Sequence, residues 1–205
     1  MFGIVNFWTF IFAGVLLNLT PGTDTFYILG KSISSGKKEG IFAALGIGAG
    51  SLVHTTFAAL GLSAILSESA LAFDLVKYLG AGYLMFLGIK AIFNGKPGNV
   101  VASNQKGRTF LSAVLTNVLN PKVALFYLAF LPQFIDPNYQ NHMVSFLILG
   151  VTFTFSGTLW GLLLANYASR LSTLVRSGGR VGRIFNKVTG LVFISLGLRL
   201  AMSRE

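Results

Sequence analysis

The chain has 205 residues, 53% of them hydrophobic and 11% charged, with a mean hydropathy of +0.70. That balance excludes an ordinary soluble domain and describes an integral membrane protein. Cysteine is absent, which excludes disulfides, thiolate metal sites and thiol electron relays. The net charge of +10 comes from basic residues scattered between apolar runs, where they read as membrane-topology signals and not as a nucleic-acid surface.

A helix needs about 20 apolar residues to cross the hydrocarbon core, and six runs of that order occur. The first, Ile4 to Gly30, lacks a positive leader, exceeds a secretory core in length and is followed by further spans, so it reads as mature structure. Inside it lies "NLTPGTDTFYILG", with a proline, glycines and a carboxylate where each costs most. The second run, Ile41 to Leu66, carries Gly46, Gly50 and His54 at intervals of four, one helical face whose small residues permit close helix approach. The third, Leu75 to Phe93, is bracketed by Lys77 and Lys90, which can snorkel to the interfaces. After a polar linker at about 94–108 comes the fourth, Thr109 to Ile135, with Asn117, Asn120, Pro121 and Lys122 inside it. The fifth is Met143 to Tyr167, and the sixth, Ile184 to Met202, is bracketed by Lys187 and Arg199.

Basic residues orient these spans. Lys31, Lys37, Lys38, Lys90, Lys96, Lys106, Arg108, Arg170, Arg176, Arg180, Arg183 and Lys187 follow spans one, three and five, whereas Lys77, Arg199 and Arg204 fall on the other side. The excess is expected in the cytoplasm, which leaves both termini outside it.

The two halves resemble each other. "TPGTDTFYIL" at Pro21 aligns with "NPKVALFYLA" at Pro121, "GSLVH" at Gly50 with "GTLWG" at Gly157, and "KYLG" at Lys77 with "KVTG" at Lys187. Three spans per half is an odd number, so the second half crosses in the opposite sense. The expected fold is all-α: one membrane domain over residues 1–205, made of two inverted three-helix repeats at about 4–93 and 109–202. The first helix of each repeat is broken at its proline, with Thr20 and Asn120 as N-caps and the prolines at the first helical position. Half-helix N-termini then meet near the midplane and favour an anion such as a carboxylate.

Asp24 lies in apolar surroundings, where a charge costs at least ~2.5 kcal/mol. It needs a proton or a partner, and Lys122 is the other ion well inside a span. Two readings stand: an architectural ion pair tying the halves together, or a site in which Asp24 takes a substrate ammonium or a proton while Lys122 and the half-helix N-termini hold a carboxylate. Removal from water disfavours the charged form of both groups, so the pair is placed to exchange a proton. A proton-coupled carrier of zwitterions follows. His54 reads equally as an interhelical hydrogen-bonder or a proton relay. Asn18, Asn117, Asn120 and Asn166 line a polar cavity or bridge helices, while Tyr27, Tyr127 and Trp160 read as packing or anchoring residues. P-loop, dinucleotide and hydrolase motifs are missing, so no enzyme activity and no cofactor are expected, and any transport is secondary.

"NLTPGTD", "GIGAGSLVHTTFAALG", "KYLGAGYLMFLGIKAI" and "NVLNPKVALFYLAFLPQF" together resemble the LysE/RhtB family of bacterial amino-acid exporters. The resemblance implies a six-helix carrier of the bacterial inner membrane that exports amino acids, neutral or hydroxylated ones or their derivatives first, on a proton or ion gradient. It carries over to Asn18, Pro21, Gly22, Asp24, Gly46, Gly50, Asn120, Pro121 and Lys122. Thr23 departs from it, standing where many members have a second proline, and a softer first break is expected. The alternative is a small inverted-repeat divalent-cation transporter. It would want several intramembrane oxygen ligands, and Asp24 is a single carboxylate faced by a lysine. An intramembrane enzyme would need surface acids to hold a metal, and the cytoplasmic loops offer only Glu39; a non-transporting interaction protein leaves Asp24 and Lys122 unexplained. Expected partners are the amino acid and membrane lipid, with a homodimer possible through Gly46 and Gly50.

Overall fold

In the computed structural model the described residues are 2–64 and 108–168, with isolated helical positions within 75–93 and 187–202. The "KYLG" and "KVTG" repeat match and most of the third and sixth spans lie outside the described residues.

The described residues fold as helices. α1 (Phe7–Leu19) is an apolar stretch that stops where Pro21 would remove a backbone donor and crowd the preceding turn. Thr20 accordingly leaves the helix with ψ 117°, the extended setting that a following proline imposes. α2 (Thr23–Ser35) begins after an extended Gly22, so the break persists with threonine at position 23. It runs past the expected boundary at Gly30 and takes Lys31 into the helix, buried, with its ammonium 5.9 Å from the centre of the Tyr27 ring. Lys31 is therefore a helical residue and not part of a loop, because no helix-breaking residue precedes Gly36. Gly36, at φ 94°, turns the chain directly into α3 (Lys37–Phe57), which continues through a π turn at Ala58–Leu62.

α4 (Thr109–Val118) and α5 (Pro121–Ala129) are the counterpart of the first break, with α5 extended by a 3-10 turn at Leu131–Phe134. The two segments bend by 50°. α6 (His142–Asn166) is unbroken over 25 residues, which at about 1.5 Å per residue exceeds the roughly 30 Å hydrocarbon thickness. α3 with its π turn meets the same criterion, and the bent α4–α5 pair does so if counted as one span.

Close approaches at glycine set the helix directions. Ala44 meets Gly161, Gly48 meets Thr158 and Thr55 meets Gly150, so α3 and α6 run antiparallel. Gly46 packs on Phe110 and Ala113, and Gly50 on Val114 and Asn117, so α3 and α4 run parallel. A Cβ on Gly50 would stand 2.8 Å from the Asn117 Cβ. Both glycines of this face are thus used within the protomer. α1 runs parallel to α6, with Gly14 against Phe153 and Asn18 against Gly157.

The two ends of the bundle differ. At one, Ile4 bridges Ile135, the Val5 N–H donates to Phe134 O at 2.9 Å, and the Ser145 hydroxyl donates to Phe2 O at 2.6 Å. Below this end lies an aromatic cluster in which Phe126 stacks on Phe153 at 4.3 Å and Phe130 meets Phe134 at 4.7 Å. At the other end the Thr109 hydroxyl donates to Glu39, and the inner layer is aliphatic: Ile28, Leu29, Ala43, Ala44, Ile47 and Leu164. The perimeter bears large apolar side chains, with Trp8 81% and Phe155 71% exposed, the pattern of a lipid-facing surface.

Candidate functional site

Between the two core clusters, where both helix breaks face α3 and α6, lies a partly open cavity of about 50 Å³. Its polar lining includes Asn18, Asp24, Ser51, Asn117, Asn120 and Lys122, and its apolar lining includes Leu17, Ile28, Ile47, Val123, Phe153 and Leu164.

Asp24 stands in the first turn of α2, where a negative charge suits the helix dipole. One carboxylate oxygen, Oδ2, accepts from Asn117 Nδ2 at 2.9 Å; the other, Oδ1, is buried without a partner. Asn117 Oδ1 is likewise buried and unpartnered. The Asn117 carbonyl, an acceptor, lies 3.2 Å from His54 Nε2, so that nitrogen carries the proton. His54 also stacks on Tyr127 at 5.5 Å. It supports the cavity wall from behind and is not among the lining residues.

The two helix starts are not equivalent. Asn120 is an N-cap as expected: its side chain accepts from the Lys122 N–H at 3.0 Å, with Pro121 in the first turn. Thr20 is not. Its hydroxyl donates back to Leu16 O at 2.7 Å and its N–H to Leu16 and Leu17, so it closes α1, while α2 starts at Gly22 with no side-chain cap. The cause is that Pro21 and Gly22 both stand between Thr20 and α2, whereas Asn120 directly precedes α5, so Thr20 is out of reach of the first free N–H groups of α2.

Lys122 does not meet Asp24 in an ion pair. Its ammonium donates to the carbonyls of Leu17 and Thr20, both at 2.8 Å, and passes close enough to Gly22 that a Cβ there would lie 3.5 Å from Nζ. Leu17 O has lost its i+4 donor to Pro21 and keeps only a 3.2 Å bond from the Thr20 N–H, Thr20 O lies at the C-cap, and the two mark the negative end of α1. A cation there is favoured by dipole and hydrogen bonding alike. Lys122 thus ties the halves by hydrogen bonds to backbone carbonyls.

Asn18 donates to Ser156 Oγ at 3.1 Å from the cavity wall. Asn166 is exposed, donates to Leu162 O at 2.7 Å and takes no part in the cavity. Tyr27 donates to Thr109 O at 3.2 Å, joining α2 to α4.

Two aromatic residues read from sequence as packing do more. The Tyr127 hydroxyl is buried among Ser51 Oγ at 3.0 Å, Thr55 Oγ1 at 2.9 Å, Gly150 O at 3.3 Å and Thr154 Oγ1 at 3.3 Å. Ser51 and Thr154 bring this network to the cavity edge. Trp160 lines the cavity, and its indole Nε1 is buried without a partner. A buried Tyr or Trp normally finds a partner for its polar atom, which is the signal in the sequence that spacing alone did not expose. Among the described residues no three His, Cys, Asp or Glu side chains gather as a metal site.

Comparison with known proteins covers almost the entire chain. The family model described as LysE type translocator matches residues 15–204. The leucine efflux protein of Klebsiella pneumoniae subsp. pneumoniae is 33% identical over 204 residues, covering 98% of this chain and 96% of the relative. The leucine efflux proteins of an Enterobacter species and of Salmonella typhimurium are 31% and 29% identical over the same length. No solved structure matches. On the strength of the family match and these relatives, the chain belongs to the LysE-type translocator family, a family of amino-acid efflux transporters of the membrane.

Proposed function

We propose that the chain is a secondary exporter of amino acids, neutral or hydroxylated ones first, driven by a proton or ion gradient across the bacterial inner membrane. The leucine efflux relatives make L-leucine the first substrate to test. One observation carries the reading: Asp24, which has one buried carboxylate oxygen without a hydrogen-bond partner, lines a cavity that also presents Leu17, Ile28, Ile47, Val123 and Leu164. A buried carboxylate oxygen without a hydrogen-bond donor is costly until one arrives. The ammonium of an amino acid supplies one, and the aliphatic wall suits an apolar side chain.

In this reading six helices form two inverted repeats, about 4–93 and 109–202, joined by a cytoplasmic linker at 94–108, with both termini periplasmic. The antiparallel course of α3 and α6 supports it, as does the placement of the N-terminus and residues 135–142 at the end opposite Lys37 and Thr109. Asp24 binds the ammonium or a proton, Asn117 orients it, and Lys122 with Asn120 maintains the break that exposes it. A divalent-cation reading is not retained, since the cavity presents one carboxylate opposed by an ammonium.

Counterflow in proteoliposomes tests the function. Vesicles preloaded with unlabelled L-leucine, or with each member of an amino-acid panel, should accumulate the labelled compound, and Asp24→Asn should reduce the rate at least tenfold. Failure of every amino acid to exchange, with a divalent cation exchanging instead, would reject the proposal.

A further inference from the structure

Trp160 is one of two tryptophans in the chain, and the two have opposite surroundings. Trp8 is 81% exposed on the lipid-facing perimeter. Trp160, on α6, lines the cavity and packs its ring against the aliphatic cluster of Ile28, Ala44, Ile47 and Leu164. Its indole N–H is buried and donates to nothing. An indole is a donor only, so what this position lacks is an acceptor.

The same cavity lacks donors elsewhere. Asp24 Oδ1 and Asn117 Oδ1 are both buried without a partner. Two unmet acceptors and one unmet donor, on α2, α4 and α6, belong to residues that line one cavity, and an α-amino acid carries on a single carbon the ammonium and the carboxylate that they lack. Hydrogen-bond partners for all three are expected, because buried polar groups are rarely left unpaired.

We infer that Trp160 is a substrate-binding residue whose indole N–H holds the carboxylate of the amino acid while Asp24 and Asn117 hold its ammonium. The inference rests on the exporter reading and assigns it a recognition element: the transported molecule must carry both groups of the zwitterion. The uncapped first turn of α2, with N–H groups that no side chain meets, supplies further donors toward the same carboxylate. Trp160 thus separates α-amino acids from simple amines, a distinction that Asp24 alone does not make. Water filling the cavity is the competing occupant, since the space exceeds the ~10–15 Å³ that one molecule needs.

The test uses the full-length protein in proteoliposomes and in detergent. Counterflow first identifies an amino acid that exchanges; if none does, the exporter reading itself fails. With L-leucine as the exchanged probe, Trp160→Phe, which keeps the ring and removes the donor, should raise the half-saturation concentration about tenfold or more. Inhibition by 3-methylbutylamine, which has the ammonium and side chain but no carboxylate, should be equal in the two proteins. In a Trp8→Phe background Trp160 is the sole tryptophan, and with excitation selective for tryptophan L-leucine should shift or quench its emission while 3-methylbutylamine does so weakly. Unchanged half-saturation for L-leucine in Trp160→Phe, or an equal loss for both compounds, overturns the assignment while leaving the exporter reading intact. If Trp160→Phe does not fold, the fluorescence titration decides: an emission unmoved by saturating L-leucine overturns it.

Discussion

The Lys122 ammonium donates to the Thr20 carbonyl at 2.8 Å, so a side chain from the second broken helix closes the first. With the second bond to Leu17 O, the ammonium serves two carbonyls at the end of α1, one at the C-cap and one whose i+4 donor Pro21 has removed. Lys122→Met removes the ammonium from both carbonyls and leaves Leu17 O with only its bond from the Thr20 N–H. The expected cost is about 1–3 kcal/mol, read as a lower thermal midpoint in detergent. Lys122→Arg should recover part of it, and a midpoint unchanged by methionine would exclude the tie.

Asp24→Asn separates function from stability. The amide is nearly isosteric and retains a contact to Asn117, but it brings no charge to a substrate ammonium. Relief of a buried charge should leave the thermal midpoint unchanged or higher, whereas amino-acid counterflow falls at least tenfold. A fully active Asp24→Asn protein would remove Asp24 from the site.

The two breaks predict unequal responses to loss of their polar residues. Asn120→Ala removes the cap on the Lys122 N–H and should cost about 1 kcal/mol. Thr20→Val removes only a hydroxyl bond back to Leu16 and should stay within roughly 0.5 kcal/mol of the parent. Equal losses in paired unfolding measurements would restore the symmetric capping that the sequence suggested.

Glycine substitutions should separate packing positions from open ones. A Cβ on Gly50 would stand 2.8 Å from Asn117 Cβ and 2.9 Å from Val114 O, so Gly50→Ala forces α3 from α4 and disturbs Asn117. A loss of about 1–3 kcal/mol is expected. Around Gly61 nothing lies within 4 Å, and Gly61→Ala should be neutral or stabilise by up to about 1 kcal/mol.

Membrane orientation can be read directly because the chain has no cysteine. Ser34 and Asn138 are exposed and lie toward opposite ends of the bundle. In intact cells an impermeant thiol reagent should label Asn138→Cys and spare Ser34→Cys until the membrane is opened. The reverse pattern would invert the proposed topology.

Much was legible in the residue order because the signals are local. Apolar runs long enough to span a bilayer, Pro21 and Pro121 within them, and a charge at Asp24 each express chemistry complete within a few residues. Asn120 could be named as a cap for the same reason: an Asn before a proline at a helix start bonds its own neighbourhood. Symmetric capping does not hold at Thr20, where Pro21 and Gly22 intervene before the helix and the hydroxyl donates back to Leu16 O in place of accepting from a first-turn N–H. Charge counting puts Lys31 in the segment after the first span, whereas nothing ends the helix before Gly36.

What the chain could not announce is which side chain answers which. Sequence identified Asp24 and Lys122 as the costly ions of a membrane span; tertiary packing decided that Asn117 reaches Asp24 while Lys122 turns to the end of α1. Gly46 and Gly50 draw α4 against α3 and fix where Asn117 stands, and only the crossing of α6 sets Trp160 in the same cavity. The physical reason is range: a helix break is settled by covalent neighbours, whereas the partner of a buried polar atom is settled by helices that meet from far apart in the chain.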